Sequence, residues 1–593
     1  MRRTLNHLFQ QAVQERARPD MFMRRRDRGY EPISSQDFDA AVRELSEALV
    51  ARGIRPGDRV VLLSENRVEW AMADLAILGA RAVVVPLYPS LRSRQILEQV
   101  RDCTPRLIFC SDARQLQKLR RIQAELPNDL LVASFEAHDE PDLLSLATLR
   151  AEGRAAIDRS GDGYDERIDR VDPNDVATIL YTSGTTGEPK GVMLTHENIV
   201  FNVVSGVEAM GISHTDRCLS FLPLCHILER PGGYYAMIHG GVSIAYADSV
   251  ETIANNMPQV RPTIMICVPR VFEKIDSTLM AKAASNSLHR RVVLWARQVA
   301  VLYARKTIAG ERLGFRLRLS HALADGLVFR KLRARTGGRI RLFLSGGAPL
   351  SKELAEFFYG AGLPVMEGYG LTETSPMIAL NTFRHLRPGS VGKPPPGIAV
   401  RIAEDGEILT SSPSVMKGYL DRPDATAEAI QGGWFHTGDI GTLDADGFLY
   451  VTDRKKDLIV TSGGKNIAPQ AVENELKKDL LIAQVALIGD QRQFVVALVA
   501  PDQANLVPWA RHKKLAFSDP AELLSSQELY DHIQEKIDAV NSHLARYEQI
   551  KRFAILPKEL GVETGELTPT MKVKRREIAR NYAHLIEGLY DGS

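Results

Sequence analysis

Between Tyr181 and Gly191 the chain reads YTSGTTGEPKG, its densest run of small and hydroxylated residues. The run closes a strand-like stretch, ATILYTS (177–183), and leads toward THENIVFNVV, a helix that Thr195 is placed to cap. Such a turn presents backbone N–H groups around Gly184 and Gly187. It adds hydroxyls from Thr182, Ser183, Thr185 and Thr186 and the cation of Lys190. Donors and a cation converging on one turn suit a phosphate chain. The spacing is not that of a Walker loop, because neither glycine leads into GK[ST]. A hydroxyl-rich turn that binds nothing is the alternative.

The string YTSGTTGEPKGVMLTH resembles the signature loop of the adenylate-forming superfamily, which includes acyl-CoA synthetases, luciferases and peptide-synthetase adenylation domains. SGGAPL (345–350), EGYGLTET (367–374), GWFHTGDIG (433–441), DRKKDLIVTSGGKNIAP (453–469) and LTPTMKVKRR (567–576) resemble that family's later motifs, in its order. LPLCHILER (222–230), RPTIMICVPRVFEK (261–274) and a basic helical stretch look like the long-chain fatty-acid CoA ligases within it.

The resemblance implies a two-step activation of a fatty acid with ATP, magnesium and coenzyme A. Acyl-AMP and pyrophosphate form first, then acyl-CoA and AMP. It implies that Thr182 to Lys190 hold the β- and γ-phosphates, that Thr182 and Glu373 bind magnesium, and that Thr372 donates to the α-phosphate. Gly346, Gly347 and Ala348 leave room for a purine, with Tyr369, between Gly368 and Gly370, against its face. Asp439 accepts from the ribose hydroxyls and Arg454 joins it. The same resemblance implies that Lys572 is the adenylation cation, with Lys574 its competitor, although Met571 stands where the family usually has Gly. Lys456 matches the hinge of a mobile small domain, and Gly463 and Gly464 line a pantetheine channel. His226 is a candidate to close one side of the acyl site. The plain readings are a satisfied core histidine for His226 and a helix N-terminal carboxylate for Glu373.

The elements carrying these residues read as α/β. SSQDFDAAVRELSEALVARG (34–53) starts at a capping Ser and puts Phe38, Val42, Leu45 and Leu49 on one helical face. RVVLLSEN (59–66), ARAVVVPLY (80–88), RLIFCSD (106–112) and DLLVASF (129–135) are short β-branched runs, as parallel strands buried on both faces should be. VSIAYAD (242–248), PTIMICVP (262–269) and IRLFLSG (340–346) continue the series. A smaller α+β part follows, with a helix in 468–478 and strands in 483–490 and 493–500. The expected organisation is a large N-terminal domain over 1–453, with mixed and parallel sheets, and a small mobile domain over 454–593.

The 593 residues carry 75 Lys and Arg against 73 Asp and Glu, a balance that argues against nucleic acid as the main ligand. Residues 276–341 depart from it, with fifteen basic residues against three acidic, a local charge of +12. This stretch reads either as a solvated helical insertion or as a surface for anionic lipid or polyphosphate. Five cysteines without a CxxC pair read as reduced core residues of a cytoplasmic protein. Two rival functions remain: a fatty acyl-AMP ligase serving a carrier protein, and a degenerate lipid- or nucleotide-binding protein.

Overall fold

The computed structural model of the chain describes residues 4–27, 29–137, 143–183, 189–247, 249, 252–284, 286–462, 465–561, 564–567 and 573–591. The chain divides into two compact units. One comprises Met1–Arg401, Leu409–Thr437 and Leu443–Tyr450; the other comprises Ile402–Ile408, Gly438–Thr442 and Val451–Ser593.

In the first unit the β-branched runs become strands. Arg59–Leu63, Val83–Leu87, Leu107–Cys110, Leu131–Ser134 and Val176–Ser183 lie in one eight-stranded sheet. Arg217–Ser220, Ser243–Tyr246, Ile264–Cys267, Leu342–Ser345 and Val365–Gly370 lie in another. All pairings within these two sets are parallel. Alternation along each strand divides its side chains between two cores. Val60, Leu62, Cys218 and Leu342 face one core, which the helices Ser35–Ala51, Val68–Gly79 and His196–Met210 fill between the sheets. Val61 and Leu63 face a second core with helix Ser93–Cys103. Leu219, Met265 and Phe343 face a third, with Pro269–Ala284 and Ser287–Ile308. Layers therefore run helix, sheet, helix, sheet, helix. Ser34 caps its helix as expected, accepting the Asp37 N–H at 3.0 Å.

The hydroxyl-rich loop does not pass straight into a helix. Pro189–Thr195 is a strand, antiparallel to Val176–Ser183, with Thr182 opposite Lys190. Val192 and Leu194 point to the central core and Met193 packs on the opposite one, a period-2 pattern that the glycines and hydroxyls before it obscure. Helix His196–Met210 begins only after this strand, and Thr195 caps it, accepting the Asn198 N–H.

The second unit pairs Ile482–Ile488 antiparallel with Val495–Pro501, and the latter parallel with Ile550–Ile555. Helices Pro469–Leu476 and Gln527–Asn541 cover one face of this sheet, Arg575–Asn581 and Ala583–Tyr590 the other. All five cysteines of the chain are free and buried, and burial pushes the Cys103 thiol up to about 12. Among the described residues no helix is long and apolar enough to cross a membrane.

Candidate active site

The motif loops of the first unit leave the carboxyl ends of parallel strands, the edge where open α/β sheets bind ligands. LPLCHILER follows Arg217–Ser220, SGGAPL follows Leu342–Ser345, and EGYGLTET occupies the end of Val365–Gly370 and the turn beyond. A Cβ on Gly346 would stand 3.1 Å from Leu228 Cδ1 and 3.7 Å from the Gly368 carbonyl oxygen, so these three motifs meet.

Glu373 and Lys190 converge on a residue that sequence reasoning missed. Tyr419 Oη donates to Glu373 Oε1 at 3.0 Å, and Lys190 Nζ stands 5.1 Å from the centre of the Tyr419 ring. Burial and the Glu373 carboxylate push the Tyr419 phenol well up, so it stays a donor. Tyr419 lies opposite Val192 in a short strand, Gly418–Tyr419, antiparallel to Pro189–Thr195. The Glu373 carbonyl accepts the Met416 N–H at 2.8 Å. Thr372–Thr374 is a single 3-10 turn that leads to strand Met377–Leu380, so no helix follows to make Glu373 a dipole-facing carboxylate.

The loop of Gly346 and Gly347, where a purine is expected, is held by another missed residue. Glu367 Oε1 accepts the Leu350 N–H at 3.0 Å, tying the SGGAPL loop to the next strand, and burial pushes this carboxyl up to about 8. Gly347 has φ +82, a conformation that favours glycine. Gly370 is required by the hairpin itself, because a Cβ there would meet the Pro376 carbonyl oxygen at 1.6 Å. Tyr369 is part-exposed on the same strand, as a residue stacking on a ligand must be.

His226 Nδ1 accepts the Leu228 N–H at 3.0 Å, which leaves the proton of a neutral ring on Nε2. Four residues on, Arg230 is fully buried against Asp74, with Tyr235 Oη donating to Asp74 at 2.6 Å and Arg230 Nη1 to Thr178 Oγ1 at 2.6 Å. Thr178 lies on the strand that ends at Thr182 and Ser183, so the arginine fixes the His226 segment to that strand.

In the second unit Asp439 is buried, and Arg454 Nε approaches its Oδ1 at 3.2 Å, the pair expected at the ribose. Lys455 Nζ reaches Asp405 at 2.6 Å and Glu407 at 2.9 Å, and Glu407 accepts the Gly438 N–H at 2.9 Å, which sets the backbone beside Asp439. Asp405 and Glu407 raise the affinity of Lys455 for its proton. Lys456 sits in a turn in which Asp457 and Leu458 both donate to the Arg454 carbonyl. Gly184, Thr185, Thr186, Gly187, Gly463, Gly464 and Lys572, together with the Ser183 side chain, lie outside the described residues.

A family described as AMP-binding enzyme matches residues 8–420, and its C-terminal domain matches residues 456–593. The chain belongs to the AMP-binding enzyme family. It is 37% identical over 583 residues to the long-chain-fatty-acid–CoA ligase FadD15 of Mycobacterium tuberculosis, covering 97% of this enzyme and 96% of that one. It is 31% identical to human long-chain-fatty-acid–CoA ligase ACSBG1, covering 99% and 85%. Its fold is that of the anthranilate CoA ligase AuaEII in complex with anthranoyl-AMP, with a TM-score of 0.74, 19% identity and coverage of 99% and 98%. The family read from the motif order is thus the one found, and the enzyme has the expected adenylate-forming architecture.

For magnesium the donors present fit. Glu373 supplies a carboxylate oxygen and Thr182 a hydroxyl, both hard ligands. Among the described residues no three His, Cys, Asp or Glu side chains are grouped so as to hold a metal ion, so such an ion would complete its shell with phosphate and water oxygens.

Proposed function

We propose that this enzyme is an ATP-dependent long-chain fatty acid:CoA ligase. The observation that carries the reading is 37% identity to FadD15 across nearly the full length of both chains. In the first step a carboxylate oxygen of the acid attacks the α-phosphorus, the bond to the β-phosphate breaks, and pyrophosphate leaves. In the second the CoA thiol loses its proton, its sulfur attacks the acyl carbon, and AMP leaves.

Both reactants of the first step are anionic, so catalysis is largely charge management. Lys190 and the hydroxyl loop bind the phosphates. Thr182 and Glu373 would hold magnesium, which would supply charge neutralisation at the phosphates. Tyr419 keeps the Glu373 carboxylate oriented by its hydrogen bond. Thr372 donates to the α-phosphate, Asp439 and Arg454 hold the ribose, and Lys572 bridges the carboxylate and the α-phosphate. The test is ATP turnover against acids of rising length with CoA as acceptor. Pyrophosphate release should need the acid, and AMP release should need CoA. AMP release only with an acyl carrier protein would make it an acyl-AMP ligase, and acid-independent behaviour would make it a binding protein. The free, buried cysteines support a reducing, cytoplasmic setting.

A further inference from the structure

Within the basic segment, helix Phe315–Ala324 runs through a π-type turn, Asp325–Phe329, into helix Arg330–Arg335. Its two sides differ. Ala324, Val328, Phe329 and Leu332 are buried, and His321 stacks on Tyr303 with ring centres 3.8 Å apart. The other side carries Phe315, Leu319, Leu323 and Leu327, which are 78, 50, 54 and 51% exposed. A four-residue step keeps the first three nearly in line, and the wider π turn holds Leu327 with them. Single exposed apolar residues are ordinary, but four in one stripe mark a surface that meets something apolar.

The charges say what that is. Arg312 and Arg316 lie at one end of the stripe, Arg330 and Lys331 at the other, all exposed. Arg316 and Arg330 are about 21 Å apart along the helix at 1.5 Å per residue. None of these four has an ion-pair partner among the described residues. Asp325, the single acidic residue from 312 to 335, is taken by Arg333 at 2.7 Å. A convex apolar ridge with cations at both ends and no available carboxylate complements a layer with an apolar interior and an anionic surface.

We infer that the Phe315–Leu327 stripe inserts shallowly into an anionic membrane surface, with Arg312, Arg316, Arg330 and Lys331 at the headgroups. The usefulness of this contact rests on the reading of a long-chain acid as substrate, since such acids partition into bilayers; the contact itself does not.

The test is co-sedimentation of the full chain with vesicles of phosphatidylcholine alone or with about one third phosphatidylglycerol, at low and physiological salt. Binding should need the anionic lipid and weaken as salt screens it. A variant carrying Leu319→Ser, Leu323→Ser and Leu327→Ser, and one carrying Arg312→Glu, Arg316→Glu and Arg330→Glu, should each bind at least about tenfold more weakly. Both should melt like the parent and turn over a soluble medium-chain acid at its rate. Absence of binding to anionic vesicles at low salt would overturn the inference, as would variants that bind unchanged. So would a parental dimer that the serine variant dissociates, since a second copy would then cover the stripe. Because binding is read without turnover, a failure of the ligase reading would appear separately, in the medium-chain assay.

Discussion

Tyr419 is where a single atom matters most. Its hydroxyl donates to Glu373, while its ring faces Lys190, so Tyr419→Phe removes the hydrogen bond and keeps the ring. A hydrogen bond to a charged group is worth about 1.5–3 kcal/mol, so acid-dependent pyrophosphate release should fall by roughly 10- to 100-fold. The magnesium concentration for half-maximal rate should rise with it. An unchanged magnesium dependence would show that Glu373 is oriented by other contacts. Lys572→Ala should act differently, abolishing adenylation while preformed acyl-AMP still reacts with CoA, because in the role proposed for it the lysine's charge is needed only while the α-phosphate is attacked. Equal loss of both half-reactions in a folded variant would make Lys572 structural or pass its role to Lys574.

At the scale of elements, the two sheets were legible because parallel strands buried on both faces write themselves as short apolar runs, often β-branched, and Val60–Leu63 and Val83–Leu87 do so plainly. Pro189–Thr195 was not, because the sequence just before it, GTTGE (184–188), is dominated by Gly and Thr. Tyr419 and Glu367 were unreadable for another reason. Each acts across a long sequence gap, on Glu373 and Leu350 respectively, and nothing local marks a contact of that kind. The sheet of Arg217–Ser220 and Val365–Gly370 also carries a pH signature. Glu229, which follows the first strand in sequence, is completely buried, and neither of its carboxyl oxygens has a hydrogen-bond partner among the described residues. Burial pushes its carboxyl up to about 8, as it does that of Glu367. Both native values lie above the unfolded one, so the native chain binds more protons between about pH 4.5 and 8. The stability associated with each group is therefore complete below that window and lost as pH rises through it, at no more than about 1.4 kcal/mol per pH unit for each group. Thermal melting should fall from pH 5 to pH 8, and Glu229→Gln with Glu367→Gln, uncharged isosteres, should flatten the decline. The same slope in the double variant would assign it to other groups.

At the scale of the whole molecule, the two half-reactions make opposite demands on one lysine. In the reaction proposed above Lys572 acts at the α-phosphate in the first step and has no part in the second, so a backbone that takes two conformations in each cycle would serve both. The turn at 454–458 is suited to hold the pivot. Arg454 is tied to Asp439, and Lys455 to Asp405 and Glu407, so the chain is anchored up to residue 455. Torsion change at Lys456 would leave those anchors in place. Proline there fixes φ near −65° and also restricts Lys455, so Lys456→Pro should hold the chain in one of its two conformations, the adenylating one. Single-turnover pyrophosphate release should then persist, while thioester formation from bound acyl-AMP should fall by about a hundredfold or more, the scale of loss when reacting groups are misplaced. Lys456→Ala, which leaves φ free, should keep both half-reactions. An undiminished rate of acyl-CoA synthesis by the proline variant would remove Lys456 from the pivot, and loss of both half-reactions would mean that the turn is needed to adenylate rather than to change conformation.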